Sequence, residues 1–202
     1  YQLDASQKGD KTVLKQKWTG LGQHLAYYLH TNTDVVVLTI LSDLKNIAVY
    51  SIYNLVVSSI RNIVTALTGG MEAIFGEMIA KKEEKELSRA YWYYELIISF
   101  VSLVLFGAAA ILIIPFVKLY TKDFSDALYV QPLFALIILI TEASNCIFLP
   151  CCALPIAANQ FKETRWGAYG EALINVVVSC ILVVWNPLLG VAIGTAVSVV
   201  YK

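Results

Sequence analysis

A chain of 202 residues that is 58% hydrophobic, with a mean hydropathy of +0.65, is well above the roughly 45–50% apolar usage of soluble domains. Fifteen basic and fifteen acidic residues give a formal net charge of zero, which leaves no basic surface for nucleic acid. The composition points to an all-α polytopic membrane protein.

The first 17 residues, YQLDASQKGDKTVLKQK, are polar and lack the apolar core of a signal peptide. They read as a cytosolic lead-in or a linker between lobes. The chain opens on Tyr1 and stops at Lys202, just after an apolar stretch, so a piece of a longer polypeptide is expected.

Six apolar segments follow, over residues 18–41, 46–68, 93–117, 128–157, 166–185 and 188–202, the last cut short. A helix needs about 20 apolar residues to cross a bilayer. Gly69-Gly70 ends the second segment, and Pro150 and Pro155 blur the end of the fourth. Between them, residues 70–92 form an inner connection. Met71, Ile74, Phe75, Met78 and Ile79 recur there at helical spacing, which predicts an amphipathic helix on the inner membrane surface or at the base of the bundle. The KKEEKE run after it reads as a solvated face.

Basic residues in the connections set the orientation. With the N-terminus inside, eleven of them (Lys8, Lys11, Lys15, Lys17, Lys81, Lys82, Lys85, Arg89, Lys162, Arg165 and Lys202) are cytosolic. Only Lys45, Lys118 and Lys122 lie outside, and Arg61 alone falls within a span. The four cysteines, Cys146, Cys151, Cys152 and Cys180, sit in apolar surroundings without metal-ligand spacing and read as buried free thiols. No metal or cofactor is expected.

Polar residues inside apolar segments carry the functional signal, because a charge in hydrocarbon costs at least about 2.5 kcal/mol and is sheltered by protein or water. Gln23, Tyr27, His30 and Asp34 share one helical stripe in the first segment, and Tyr50, Asn54, Ser58 and Arg61 share one in the second. Thr141, Glu142 and Asn145 lie together in the fourth, and Glu171, Asn175 and Ser179 in the fifth. The third offers nothing comparable and is expected to face lipid. In the sixth, Gly190 and Gly194 with Ser198 make a small-residue seam for close helix packing.

Depth, at about 1.5 Å per residue, sorts these groups. Asp34 and Asn54 fall in the outer half and Arg61 and Glu171 in the inner half, with Glu142 at the middle or further in. The expectation is therefore an Arg61–Glu142 or Arg61–Glu171 pair, and a separate outer group of Asp34 and His30. Each has a plainer reading. Arg61 and an acid can simply lock two helices, His30 can be a packing histidine, and Tyr27, Tyr50, Tyr53 and Asn54 can either contact a sugar or fill the bundle. Asp34, with no basic partner at its own depth, is the strongest functional candidate.

The stretch NTDVVVLTILSDLKNIAVYSIYNLV resembles the seventh and eighth spans of bacterial polysaccharide (O-antigen-type) repeat-unit flippases. NQFKETRWGAYGEALINVVVSCILVVWNPLLGVAIGTAVSVVYK resembles their tenth-to-twelfth-span region, with FKETR, GEALIN and GVAIGT in order. The resemblance implies the multidrug and lipid-linked-oligosaccharide flippase fold. That fold has two six-helix lobes around a central cavity, and this chain would be the C-terminal lobe. It further implies transport, without catalysis, of undecaprenyl-diphosphate-linked oligosaccharide across the bacterial inner membrane by alternating access. The partners so implied are the lipid bilayer, the lipid-linked oligosaccharide and the missing N-terminal lobe of the same polypeptide. Asp34 matches the family's acidic residue in its seventh span, Arg61 becomes a candidate diphosphate contact, and Glu171 and Asn175 match the polar pair of GEALIN. Half of a rocking pair cannot enclose a path, so this chain by itself is not expected to transport.

Three other readings stay open. One is a cation-coupled small-molecule exporter of the same superfold, with Asp34 and His30 as the coupling pair. A component of a membrane glycosyltransferase or polymerase is opposed by the lack of a large extramembrane loop with clustered acids. A structural membrane subunit would have its polar stripes mutually satisfied and dry.

Overall fold

The computed structural model describes residues 32–158 and 161–201, with side chains at 161–165 left aside. The 1–17 lead-in, Gln23, Tyr27 and His30 lie outside the described residues. Those described fold as helices α1 (Asn32–Leu41), α2 (Leu44–Leu67), α3 (Met71–Lys81), α4 (Glu84–Tyr120), α5 (Pro132–Ile147), α6 (Leu149–Ala157), α7 (Phe161–Val183) and α8 (Pro187–Tyr201). Four stretches are long and apolar enough to cross a membrane: Leu44–Lys81, Glu84–Tyr120, Pro132–Ala157 and Trp166–Val183. Asn32–Leu41 and Pro187–Tyr201 are shorter apolar helices. By length and composition this is a multi-pass membrane protein, all-helical among the described residues.

Each helix buries one stripe and leaves apolar side chains on the other. In α4, Tyr94, Ile98, Ser102, Phe106, Ala109, Ile113 and Val117 face inward at steps of four and three, while Phe100, Leu103, Ile111 and Leu112 are exposed. An exposed row of this kind is what lipid contact requires, and the opposite row packs on α5, α2, α3 and α6. At 37 residues α4 is about 55 Å long, well beyond the roughly 30 Å hydrocarbon core. It takes in residues 84–92 as well, because nothing between Glu84 and Trp92 breaks a helix, and Glu84 and Glu86 suit the positive end of the dipole.

Two left-handed residues isolate the short α3. Gly70, at φ 85°, turns the chain after α2, and Lys82, at φ 58°, ends α3. The helix packs on α4 and α6, and its anchor is Phe75, fully buried and edge-on to Tyr94 at 5.7 Å. The stretch 128–157 is two helices, interrupted at Phe148. Pro150, near the start of α6, has no N–H to continue the ladder of α5, and its ring clashes with the preceding turn.

The tightest packing joins α7 to α8. A Cβ on Gly190 would lie 2.5 Å from the backbone nitrogen of Val183, and one on Gly194 would lie 2.9 Å from that of Ser179. The glycine seam thus brings the two backbones together directly. α8 in turn packs on α5 and α2. Tyr53 of α2 is fully buried. Its hydroxyl donates to the Tyr129 carbonyl and accepts from the Gln131 N–H, each at 2.9 Å, tying α2 to the loop before α5.

Candidate functional site

Five helices enclose a polar cavity of about 80 Å³. A single water occupies roughly 10–15 Å³ on the comparable measure, so the cavity has room for several. It is small beside the roughly 300–1,000 Å³ of ordinary ligand pockets. The first helix contributes Asp34, α2 contributes Tyr50, Asn54, Arg61 and Thr65, α5 contributes Thr141, Glu142 and Asn145, and α8 contributes Thr195, with Leu149 of α6 at its edge.

Asp34 reaches the cavity because α1 buries Thr33, Asp34, Val37 and Leu38 on one face and turns Val35, Val36 and Ile40 outward. Two neutral hydroxyls meet its carboxylate. Tyr50 donates to Oδ2 at 3.1 Å, and Thr195 Oγ1 lies 2.9 and 3.1 Å from Oδ1 and Oδ2. The Asn175 amide reaches Thr195 Oγ1 at 3.4 Å, and Ser179 donates to Asn175 Oδ1 at 3.1 Å. A relay of donors thus runs from Ser179 through Asn175 and Thr195 to Asp34, crossing from α7 to α8 to α1. Thr195 has a single proton, and the Val191 carbonyl also stands 3.0 Å from its oxygen, so the two acceptors compete for it.

Arg61 settles on Glu142. Its Nη1 lies 3.3 Å from both Glu142 oxygens, with side-chain exposures of 24% and 12%. The distance is long beside the 2.7–2.9 Å of a tight charge-assisted bond, and one nitrogen shared between two oxygens is not the parallel fork of a bidentate pair. Adjacent packing of α2 and α5 explains the choice of Glu142 over Glu171.

The Asp34 group and the Arg61–Glu142 pair, expected at different depths, open onto one cavity. Tyr50 and Arg61 lie three turns apart on one face of α2, so that face carries a single cavity from one group to the other. Asp34, Asn54, Arg61 and Glu142 share it. Asn175 is fully buried behind it and connects through Thr195, whereas Glu171, also buried, is not part of its lining. Tyr50 lines the cavity, but Tyr53 is committed to the loop before α5. Nothing in the composition or spacing of the sequence singles out Thr195 as a cavity residue. The signal available is only its place next to Gly194, inside the small-residue seam.

Among the described residues, no group of three or more His, Cys, Asp or Glu side chains comes together to hold a metal ion. The cavity lining offers paired charges, hydroxyls and amides. No family model, curated protein or solved structure matches the chain.

Proposed function

We propose that the chain is a six-helix lobe of a two-lobed polysaccharide repeat-unit flippase of the bacterial inner membrane, with its N-terminus cytosolic. Its work in the complete polypeptide is to form one wall of the path taken by undecaprenyl-diphosphate-linked oligosaccharide, opposite an N-terminal lobe. The observation that carries this reading is the convergence of Asp34, Arg61 and Glu142, from three different helices, on one cavity between apolar helices. Ionisable side chains at such depth face water-filled paths and mark the routes of substrates and ions. The sequence stretches that resemble the family supply the substrate class. A cavity of about 80 Å³ cannot enclose a sugar chain, which fits a wall completed by a facing lobe.

Asp34→Asn and Arg61→Ala in the intact protein should each lower surface polysaccharide at unchanged expression, measured by gel profile of the extracted polymer. Wild-type polymer in both variants would end this assignment.

A second reading has an observation of its own. Two carboxylates and one guanidinium give the cavity a formal charge of −1, which suits a cation-coupled exporter of small molecules. That reading predicts Asp34-dependent cation flux in proteoliposomes with no change in polymer.

A further inference from the structure

Arg61 spends little of its donor capacity. A guanidinium carries five N–H donors on three nitrogens, yet among the described residues only Nη1 is bonded, and only to Glu142. Both bonds are 3.3 Å, and Arg61 stays partly exposed. Around the pair, Asn54, Thr141 and Asn145 line the same cavity, and among the described residues their side chains make no hydrogen bond. The cavity therefore holds a loosely held acid–base pair with unused amide and hydroxyl groups close by. A lock between α2 and α5 would favour the opposite arrangement, with a short parallel fork and its neighbours engaged.

The formal charge of −1 leaves any anion facing a guanidinium already neutralised. We infer that Glu142 is a displaceable internal counter-ion: it occupies Arg61 while the cavity is empty and yields that guanidinium to a phosphate-type group of the transported molecule. The inference rests on the proposed reading that an anionic ligand enters this cavity. Nε and Nη2 offer the incoming group two uncommitted nitrogens, matching the planar fork that phosphate oxygens accept. Asn145, one turn from Glu142 on α5, and Thr141 beside it supply donors for the released carboxylate. Its negative charge thus moves within the cavity without being stripped of hydrogen bonds. Glu142 accordingly sets a threshold, and only a ligand that binds the guanidinium better than a carboxylate does will replace it.

The test is calorimetric titration of the full-length protein in detergent with inorganic pyrophosphate at fixed ionic strength. Glu142→Gln keeps the side chain's size and removes its charge. It should bind pyrophosphate about tenfold to a hundredfold more tightly than wild type, the factor that corresponds to one charge-assisted hydrogen bond. Glu142→Asp, one methylene shorter, should shift affinity in the same direction by less, and it serves if the glutamine variant does not fold. Arg61→Gln should abolish binding with either residue at 142. Equal or weaker binding in a folded Glu142 variant, with Arg61→Gln still abolishing it, overturns the counter-ion role and leaves the anion site standing. Binding that survives Arg61→Gln, or no binding by any form, refutes the anion site and the counter-ion role with it.

Discussion

The α7–α8 seam allows a prediction whose sign differs between glycines in the same protein. Gly190→Ala places a methyl group 2.5 Å from the Val183 nitrogen and 2.6 Å from the Leu182 carbonyl carbon, both backbone atoms that no rotamer change can move. Restoring ordinary contact at 3.4 Å requires the helices to part by about 0.9 Å. The Asn175–Thr195 bond is already 3.4 Å long, so parting the helices breaks it. Overpacking costs roughly 1–3 kcal/mol, and an interhelical hydrogen bond in a membrane protein averages about 0.6 kcal/mol. Alanine regains about 0.8–1 kcal/mol of helix propensity. The net is a loss of about 0.6–2.8 kcal/mol. Gly107→Ala in α4 meets nothing within 4 Å and keeps only the propensity gain. Reversible unfolding in mixed detergent micelles, followed by helical circular dichroism, separates the two variants. Equal stability of the Gly190→Ala and Gly107→Ala proteins would refute the argument that the backbones are in contact.

Thr195→Val keeps the shape but removes the hydroxyl that joins Asp34 to Asn175. It should destabilise by about 0.6–2 kcal/mol, with non-additivity against Asp34→Asn in a double-mutant cycle; strict additivity would show that the link contributes nothing. Tyr53→Phe strips both the Tyr129 carbonyl and the Gln131 N–H of their partner, and should cost about 1–3 kcal/mol in the same unfolding assay. Phe75→Ala empties the anchor of α3. Its local cost of about 3–5 kcal/mol should appear as faster tryptic cleavage at Lys81 and Lys82, and an unchanged cleavage rate would mean α3 is held by something else.

Sequence legibility followed the range of the physics involved. Apolar runs of bilayer length are written locally, and so are the glycines at 190 and 194, because their spacing specifies a face whatever helix lies opposite. Whether Arg61 takes Glu142 or Glu171 is not local: both acids lie at usable depth, and only the adjacency of α2 and α5 decides between them. Thr195 was hidden for a different reason, since a threonine in an apolar helix ordinarily bonds its own preceding turn, and here that bond coexists with a contact to another helix. Counting depth ranks Asp34 and Arg61 along their helices and says nothing of whether one cavity joins them, as it does here. The interruption at Phe148 was foreshadowed by Pro150, but the start of α4 at Glu84 was not. A charged KKEEKE run looks solvated whether it is helix or coil.

The shared proton of Thr195 has a timescale as well as a geometry. Turning one hydroxyl from the Asp34 carboxylate to the Val191 carbonyl releases α1 from α8 without moving any backbone atom and without leaving that hydroxyl unpaired. Hydroxyl rotors of this kind reorient in picoseconds to nanoseconds, whereas helices shift over microseconds to milliseconds. The tie between α1 and α8 can therefore break and re-form thousands of times during any larger movement of the helices. The hydroxyl follows that movement and sets no barrier to it.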